Sequence, residues 1–183
     1  MTVSITLPEI PAELQLVDKD LFKASMRHLA GAVSVITVGI GDDRTGFTAT
    51  SVSSLSADVP SVIVIVSVNR GSSSWPALQR HRHFCVNVLA HDQQSVAQSF
   101  SGYGGRSGVR RYEGAAWSAI STGAPMLDGA LTALDCEFDE AIPMHSHAIL
   151  IGRVRAITLR RGAEPLLYWN GAFRHLAGVA PAS

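Results

Sequence analysis

Charge of either sign is scarce in this 183-residue chain, and cysteine nearly absent. Asp, Glu, Lys and Arg together make up 16% of it, and fifteen basic residues cancel fifteen acidic ones. A balanced, charge-poor chain lacks the basic surface that nucleic-acid binding requires, so no nucleic-acid partner is expected. The two cysteines, Cys85 and Cys136, both sit in apolar runs, with no CxxC and no Cys/His zinc spacing. They read as buried free thiols of a reducing compartment. No apolar run approaches the roughly 20 residues of a membrane span, and no basic segment followed by an apolar core opens the chain. A cytoplasmic protein without a membrane segment is the expectation. Nucleophile and metalloprotease motifs (GxSxG, HExxH) are missing too, as are paired carboxylates. His81/His83 and His145/His147 each share one face of a strand, but the carboxylates or cysteines that would complete a metal site are lacking, so no metal is expected.

What the chain does have is apolar material, 46% of residues, enough for the core of one domain. It also has one unusual stretch, Gly46-Phe47-Thr48-Ala49-Thr50-Ser51-Val52-Ser53-Ser54-Leu55-Ser56, with five hydroxyl side chains in the seven residues from Thr48 to Ser54. Short hydroxyls donate hydrogen bonds and let backbone N–H groups approach a ligand, which suits a phosphate and a polyol. The same composition also serves as an exposed face of a Thr/Ser-rich strand.

In chain order, residues 1–17 read as an extended arm. Asp18 caps a helix with Phe22, Met26 and Leu29 on one stripe and Gly31 as its stop. A strand over 33–38 leads through a polar hairpin loop, 39–46, into the hydroxyl-rich strand. Gly41 to Gly46 has P-loop spacing, but Phe47 stands where the lysine belongs and strand follows where a helix should, so the motif is rejected. A strand over 62–68, apolar at nearly every position, is expected to be covered on both faces.

Asn69-Arg70-Gly71-Ser72-Ser73-Ser74 then opens a short helix, Trp75 to Arg80, with Pro76 in its first turn. Such a serine run can hold an anion or simply cap the helix. A strand at 83–89 precedes a helix capped by Asp92, with Val96, Ala97 and Phe100 on one side. Residues 101–129 are glycine-rich and irregular, and Gly102 to Gly108 is a candidate lid. Leu134, Cys136 and Phe138 alternate with Asp135, Glu137 and Asp139 as a half-buried strand. Strands at 147–159 and 165–174 end the domain, which spans 18–178, and a tail occupies 179–183. Six or seven strands with hairpin connections and two or three short helices predict a mainly β fold, an antiparallel barrel with short helices at its ends.

Taken together, these fragments resemble the short-chain flavin reductases of the FMN-binding split-barrel fold, the reductase components of two-component flavin-dependent monooxygenases. The resemblance runs over roughly residues 20 to 176. It is carried by Leu29-Ala30-Gly31-Ala32-Val33, the segment from Gly46 to Ser54, Asn69-Arg70 with Ser72-Ser73-Ser74, and Phe84-Cys85-Val86-Asn87-Val88-Leu89. Thr122-Gly123-Ala124-Pro125-Met126-Leu127, Ala133-Leu134-Asp135-Cys136, His147 with Ile151-Gly152-Arg153-Val154, and Pro165-Leu166-Leu167-Tyr168 complete it.

The resemblance implies a homodimer that passes hydride from NADH or NADPH to FMN, with FAD as the alternative flavin, and supplies reduced flavin to a partner monooxygenase. It places Thr48, Ala49, Thr50 and Ser51 beside the ring and ribityl chain, with Ser53 and Ser54 continuing that segment. Asn69, Arg70, Ser73 and Ser74 fall at the ribityl and phosphate, and Val86 and Asn87 on a bordering strand. His147 (the candidate catalytic residue), Phe173 and Arg174 fall on the nicotinamide side. Two departures stand out. His145-Ser146-His147 replaces the usual Gly-Asp-His, which leaves NADH against NADPH open. Trp75 stands where many relatives have histidine, and either covers the flavin edge or packs in the core. A fixed-flavin reductase of another acceptor, such as a corrinoid cobalt centre, and a non-catalytic flavin-binding protein remain alternatives.

Overall fold

The Asp18 carboxylate accepts a 2.7 Å hydrogen bond from the Leu21 amide and caps α1, Lys19–Met26. None of the helix is buried; it ends at Met26, short of the expected stop at Gly31, and Phe22, Met26 and Leu29 of the expected stripe all lie open. The computed structural model describes residues 17–58 and 62–176. All but one residue of the expected arm, and the whole tail at 179–183, lie outside them.

After α1 the chain forms β1 (Gly31–Ala32), β2 (Ser34–Val38), β3 (Thr45–Ala49), β4 (Val52–Ser56) and β5 (Ile63–Asn69). Helix α2 (Trp75–His81), β6 (His83–Val88) and α3 (Gln94–Phe100) come next, then 3-10 turns, the two-residue strands β7 (Trp117–Ser118) and β8 (Met126–Leu127), and the long hairpin β9 (Thr132–Met144) with β10 (His147–Leu159). The strands β11 (Leu167–Trp169) and β12 (Ala172–Arg174) close the described chain.

Seven strands form one antiparallel sheet in the order β3-β2-β6-β9-β10-β5-β4, while β1, β11 and β12 make a small second sheet. The mainly β, hairpin-connected architecture is as expected. The barrel, however, is not closed by hydrogen bonds: the ladder ends at β3 on one side and β4 on the other. The reason lies in the hydroxyl-rich run, expected as one strand. It breaks at Thr50–Ser51, and the chain leaves its pairing with β2 to pair instead with β5.

Every residue of β2 is buried because both of its faces are covered. Ile36 and Val38 join Val66, Val68, Phe84, Val86, Phe138 and Leu150 on one face, with Ala77 and Leu78 of α2 packed there. Val35 belongs to the other cluster, with Val96, Ala97 and Phe100 of α3 and with Tyr112. Burying each large aliphatic side chain contributes about 1.5–3 kcal/mol. In β5, by contrast, only Val64, Val66 and Val68 are buried, whereas Ile63 and Ile65 are half-exposed. The expectation of two covered faces there is corrected: no element covers the outward side of β5 among the described residues.

Two further expectations change. Asp92 lies within a 3-10 turn and does not cap α3; the Gln93 side chain instead accepts from the Ala90 amide at 3.0 Å. Asp135, expected on the wet face of β9, is 1% exposed. Its carboxylate accepts from the amides of Ser121 and Thr122 at 2.8 and 2.9 Å and from the Thr122 hydroxyl, which pins the irregular 119–124 loop over the sheet. The cysteines are free and buried as expected, and burial pushes the Cys136 thiol up to about 12 and that of Cys85 well up too, so neither is a ready nucleophile.

Candidate functional site

Two cavities share a wall where β3 ends. The first, of about 330 Å³, is lined by Phe47, Thr48, Ala49, Thr50, Ser51, Ser67, Asn69, Ser72 and His147. The second, of about 380 Å³, shares Thr48, Ala49 and Thr50 and adds Val33, Ser101, Tyr168, Gly171 and Phe173. Both volumes lie within the range of about 300–1,000 Å³ typical of small-molecule sites.

Local structure places the polar groups. The Thr48 hydroxyl donates to the Ala97 carbonyl at 2.7 Å, fastening β3 to α3, so it faces a ligand only as an acceptor. Thr50 and Ser51 occupy the break between β3 and β4 and are exposed. Asn69 and His147 are direct partners across the β5–β10 ladder, which brings two residues 78 positions apart to one rim. The His147 Nδ1 lies 2.9 Å from the Ser146 hydroxyl. Asn69 Oδ1 accepts from the Gly71 amide at 2.8 Å, an Asx turn that folds residues 69–72 towards α2.

That turn buries the Ser72 hydroxyl, which has no partner among the described residues although it lines the first cavity. Buried polar groups are almost always satisfied, so an orphan hydroxyl in the wall of a cavity marks a position where a small turn of the side chain would meet a ligand acceptor or donor. No carboxylate lines either cavity, and His147 is the one ionisable group of the first.

The expected residues thus separate. Thr48, Ala49, Thr50, Ser51, Asn69 and His147 come together in the first cavity, and Phe173 lines the second, its ring edge-on to Tyr168 at 5.5 Å. Arg70 lies within the 69–72 turn and Ser73 directly after it; Arg70 donates to the His145 carbonyl at 3.2 Å. Ser53 and Ser54 lie on β4 beyond the cavity, and Arg174 is exposed beside Phe173.

Ser74, Val86 and Asn87 are fully buried and line neither cavity. Ser74 donates to the Gly46 carbonyl at 3.0 Å. Val86 and Asn87 are paired on both sides, with β2 and β9, which leaves no free backbone to border a ligand. The Asn87 amide is spent on the Val35 carbonyl and the Leu127 amide. Phe47, Ser67 and Ser72 of the first cavity and Val33, Ser101, Tyr168 and Gly171 of the second are the lining residues that sequence reasoning left out of the site. Ser72 carried a signal as part of the serine run, and Phe47 as part of the hydroxyl-rich stretch.

A family model described as the flavin reductase like domain matches residues 26–177. The chain belongs to the flavin reductase-like family. Among its relatives in this family, the FMN reductase (NADH) RutF of Pseudomonas syringae pv. syringae is 37% identical over 163 residues, covering 88% of this chain and 89% of that protein. Among solved flavin reductases, the Streptomyces globisporus NADH:FAD oxidoreductase SgcE6 superposes with a TM-score of 0.79 at 27% identity, covering 92% of this chain and 100% of the other. BorF, the flavin reductase component of a bacterial two-component tryptophan halogenase, gives 0.78 at 29% identity over 87% and 98% of the two chains.

For a flavin reductase-like domain the relevant test is whether these side chains suit a flavin. They do. The orphan Ser72 hydroxyl, the exposed hydroxyls of Thr50, Ser51 and Ser67, and the lack of carboxylates match a ribityl polyol and a phosphate. The more apolar second cavity, with Val33, Tyr168 and Phe173, matches a flat ring.

Proposed function

We propose that this chain is an NADH-dependent flavin reductase that binds FMN across the two cavities and releases it reduced to a partner monooxygenase. The observation that carries the reading is a carboxylate-free, hydroxyl-lined cavity, with the buried and unpartnered hydroxyl of Ser72 in its wall, within a chain of the flavin reductase-like family. The names of the relatives support FMN and NADH as the pair. NADPH and FAD are the alternatives to be measured.

In this reading Thr50, Ser51 and Ser67 bind the polyol, and Asn69, Arg70, Ser72 and Ser73 the phosphate. Thr48 and Ala49 form the shared wall. Ser53 and Ser54 border the site from β4, while Ser74, Val86 and Asn87 support it from the core. When bound there, a flavin would supply the two-electron chemistry, as acceptor of the hydride of reduced nicotinamide. The side chains hold the two rings together and exclude water, and proximity of this kind accounts for most of the acceleration. His147 contacts the nicotinamide side from the rim of the first cavity, and Phe173 with Arg174 from the second.

In this reading the open seven-stranded sheet, with free edges at β3 and β4, is the split barrel of the family. We assign the protein to the cytoplasm and to a homodimer. Ile142 and Ile149 are cross-strand partners, and together with Met144, the partner of His147, they leave 40, 37 and 55% of their surface exposed in the order Ile142, Ile149, Met144. An apolar patch of this kind beside the site suits a second copy of the chain.

NADH oxidation by purified protein, measured without flavin and then across an FMN titration with FAD in parallel, tests the reading. Saturable turnover that depends on added flavin supports it. A protein that stays yellow through dialysis and does not oxidise NADH overturns it.

A further inference from the structure

A cavity of about 610 Å³ lies against α3, walled on its other sides by the loop at 103–106 and the turn at 113–114. It shares no lining residue with the two cavities beside β3. We propose that it is a binding site for a free α-amino acid, with the ligand carboxylate on Arg106 and its ammonium group on Glu113. The proposal makes no use of the flavin reading.

The separation of two opposite charges is the first argument. Arg106 and Glu113 are the charged residues of the lining. They form an ion pair neither with each other nor with any other group among the described residues. An anchor holds Arg106 back. Its guanidinium donates at 2.9 Å to the Ser99 hydroxyl, a group only 8% exposed that donates in turn to the Ser95 carbonyl at 3.0 Å. The Arg106 carbonyl accepts from Arg111 Nε at 3.2 Å, and Arg111 also donates to the Gly46 carbonyl of β3. Arg106 is thus half-buried and tied at backbone and side chain, with one of its five donors spent. Glu113 is exposed, and its carboxylate makes no hydrogen bond among the described residues.

The second argument is what such a lining selects. A simple anion is drawn by Arg106 and repelled by Glu113, and a simple cation meets the reverse. A molecule that carries both charges satisfies both walls, through the charge-assisted hydrogen bonds that are the stronger kind. Neutral groups stand ready beside them: the Gln98 amide and the Tyr103 phenol line the cavity and have no side-chain partner among the described residues. Tyr103 is 73% exposed and lies between Gly102 and Gly104, at φ 84° and 68°. Glycine takes these left-handed positions without strain, so the backbone that presents the Tyr103 ring at the cavity suits this sequence. The ring offers a flat face to the ligand side chain.

Calorimetric titration of the natural protein with L-phenylalanine, L-glutamine and L-leucine tests the site, followed by the amide and the N-acetyl derivative of whichever binds. Each derivative lacks one of the two charges. The expected result is a dissociation constant of about 1 mM or lower for at least one amino acid, and at least about tenfold weaker binding of both derivatives. Glu113→Gln removes a carboxylate that supports nothing else in the fold, and is expected to weaken the amino acid at least about tenfold. Arg106→Gln should do the same, with its melting temperature followed because the Ser99 contact goes with it. Failure of all three amino acids to bind overturns the proposal. So does a derivative that binds as tightly as its parent, or an amino-acid affinity that Glu113→Gln leaves unchanged.

Discussion

Ser72 and Ser74, two residues apart on one turn, have opposite fates: the Ser74 hydroxyl is buried against the Gly46 carbonyl at 3.0 Å, whereas the Ser72 hydroxyl is buried against nothing. One joins the first turn of α2 to β3, and the other is left for a ligand. Removing each should therefore register in a different measurement. Ser72→Ala is expected to weaken FMN binding about three- to tenfold, the worth of one net hydrogen bond, and to leave the melting temperature in place. Ser74→Ala should cost about 1 kcal/mol of stability, because Arg111 still donates to the Gly46 carbonyl, and should change FMN affinity less. Titration of flavin fluorescence and urea unfolding of both variants decide it; the reverse assignment would return the phosphate to Ser74.

Gly46 sits at the start of the site strand with no room for a side chain. A Cβ there would lie 2.3 Å from the Ile36 carbonyl oxygen and 2.7 Å from the Phe100 ring. The first of these is backbone, held in the β2–β3 ladder, so the strand itself has to shift. Gly46→Ala should destabilise the protein by about 1–3 kcal/mol, as overpacked cores do, and weaken FMN binding by displacing Thr48 to Thr50. An unchanged urea midpoint would show that β3 has more freedom than this packing allows.

His83 makes stability depend on pH. Burial holds its proton affinity below the ordinary value of 6.5, the neighbouring His81 ring at 5.6 Å adds to this, and Asp135 and a hydrogen bond with the Gly39 backbone oppose it. Its Nε2 is buried without a partner. The unfolded chain takes up a proton at this residue below about pH 6.5 while the native state does not, so stability should fall as pH drops from there towards the native value. Asp43 acts in a separate window. Hydrogen bonds from Arg80 and His81 hold its carboxyl below 3.8, and its contribution is lost only on further acidification. Melting curves at about pH 7.5 and 5.5 check the prediction: His83→Gln should flatten the difference. An equal drop in the variant would move the effect to another group.

The sequence disclosed what is local or periodic. The Asp18 cap, the apolar runs of β2 and β6, and the helix at Trp75 all depend on neighbours within a few residues. What it withheld depends on partners far along the chain. Nothing near Asp135 signals that residues 121 and 122 will bury its carboxylate, so alternation alone put it in water. The break at Thr50–Ser51 depends on β5 competing with β2 for the same run. The site shows the same division. The hydroxyls of 48–51 were legible as a cluster, but the meeting of His147 with Asn69 is a matter of register, and the split between Ser72 and Ser74 is a matter of which way a turn rolls.

The opening of the seven-stranded ladder has a consequence for the chain in a crowded cell. Its unpaired edges, β3 and β4, each run five residues from the same dipeptide, Thr50–Ser51. Unpaired edges recruit foreign strands and seed aggregates, and short, polar ones do so least. β4 carries Ser53, Ser54 and Ser56, so the more exposed of the two presents hydroxyls in place of a row of valines. The serines that border the candidate site therefore also make this open edge a poor template for a foreign strand.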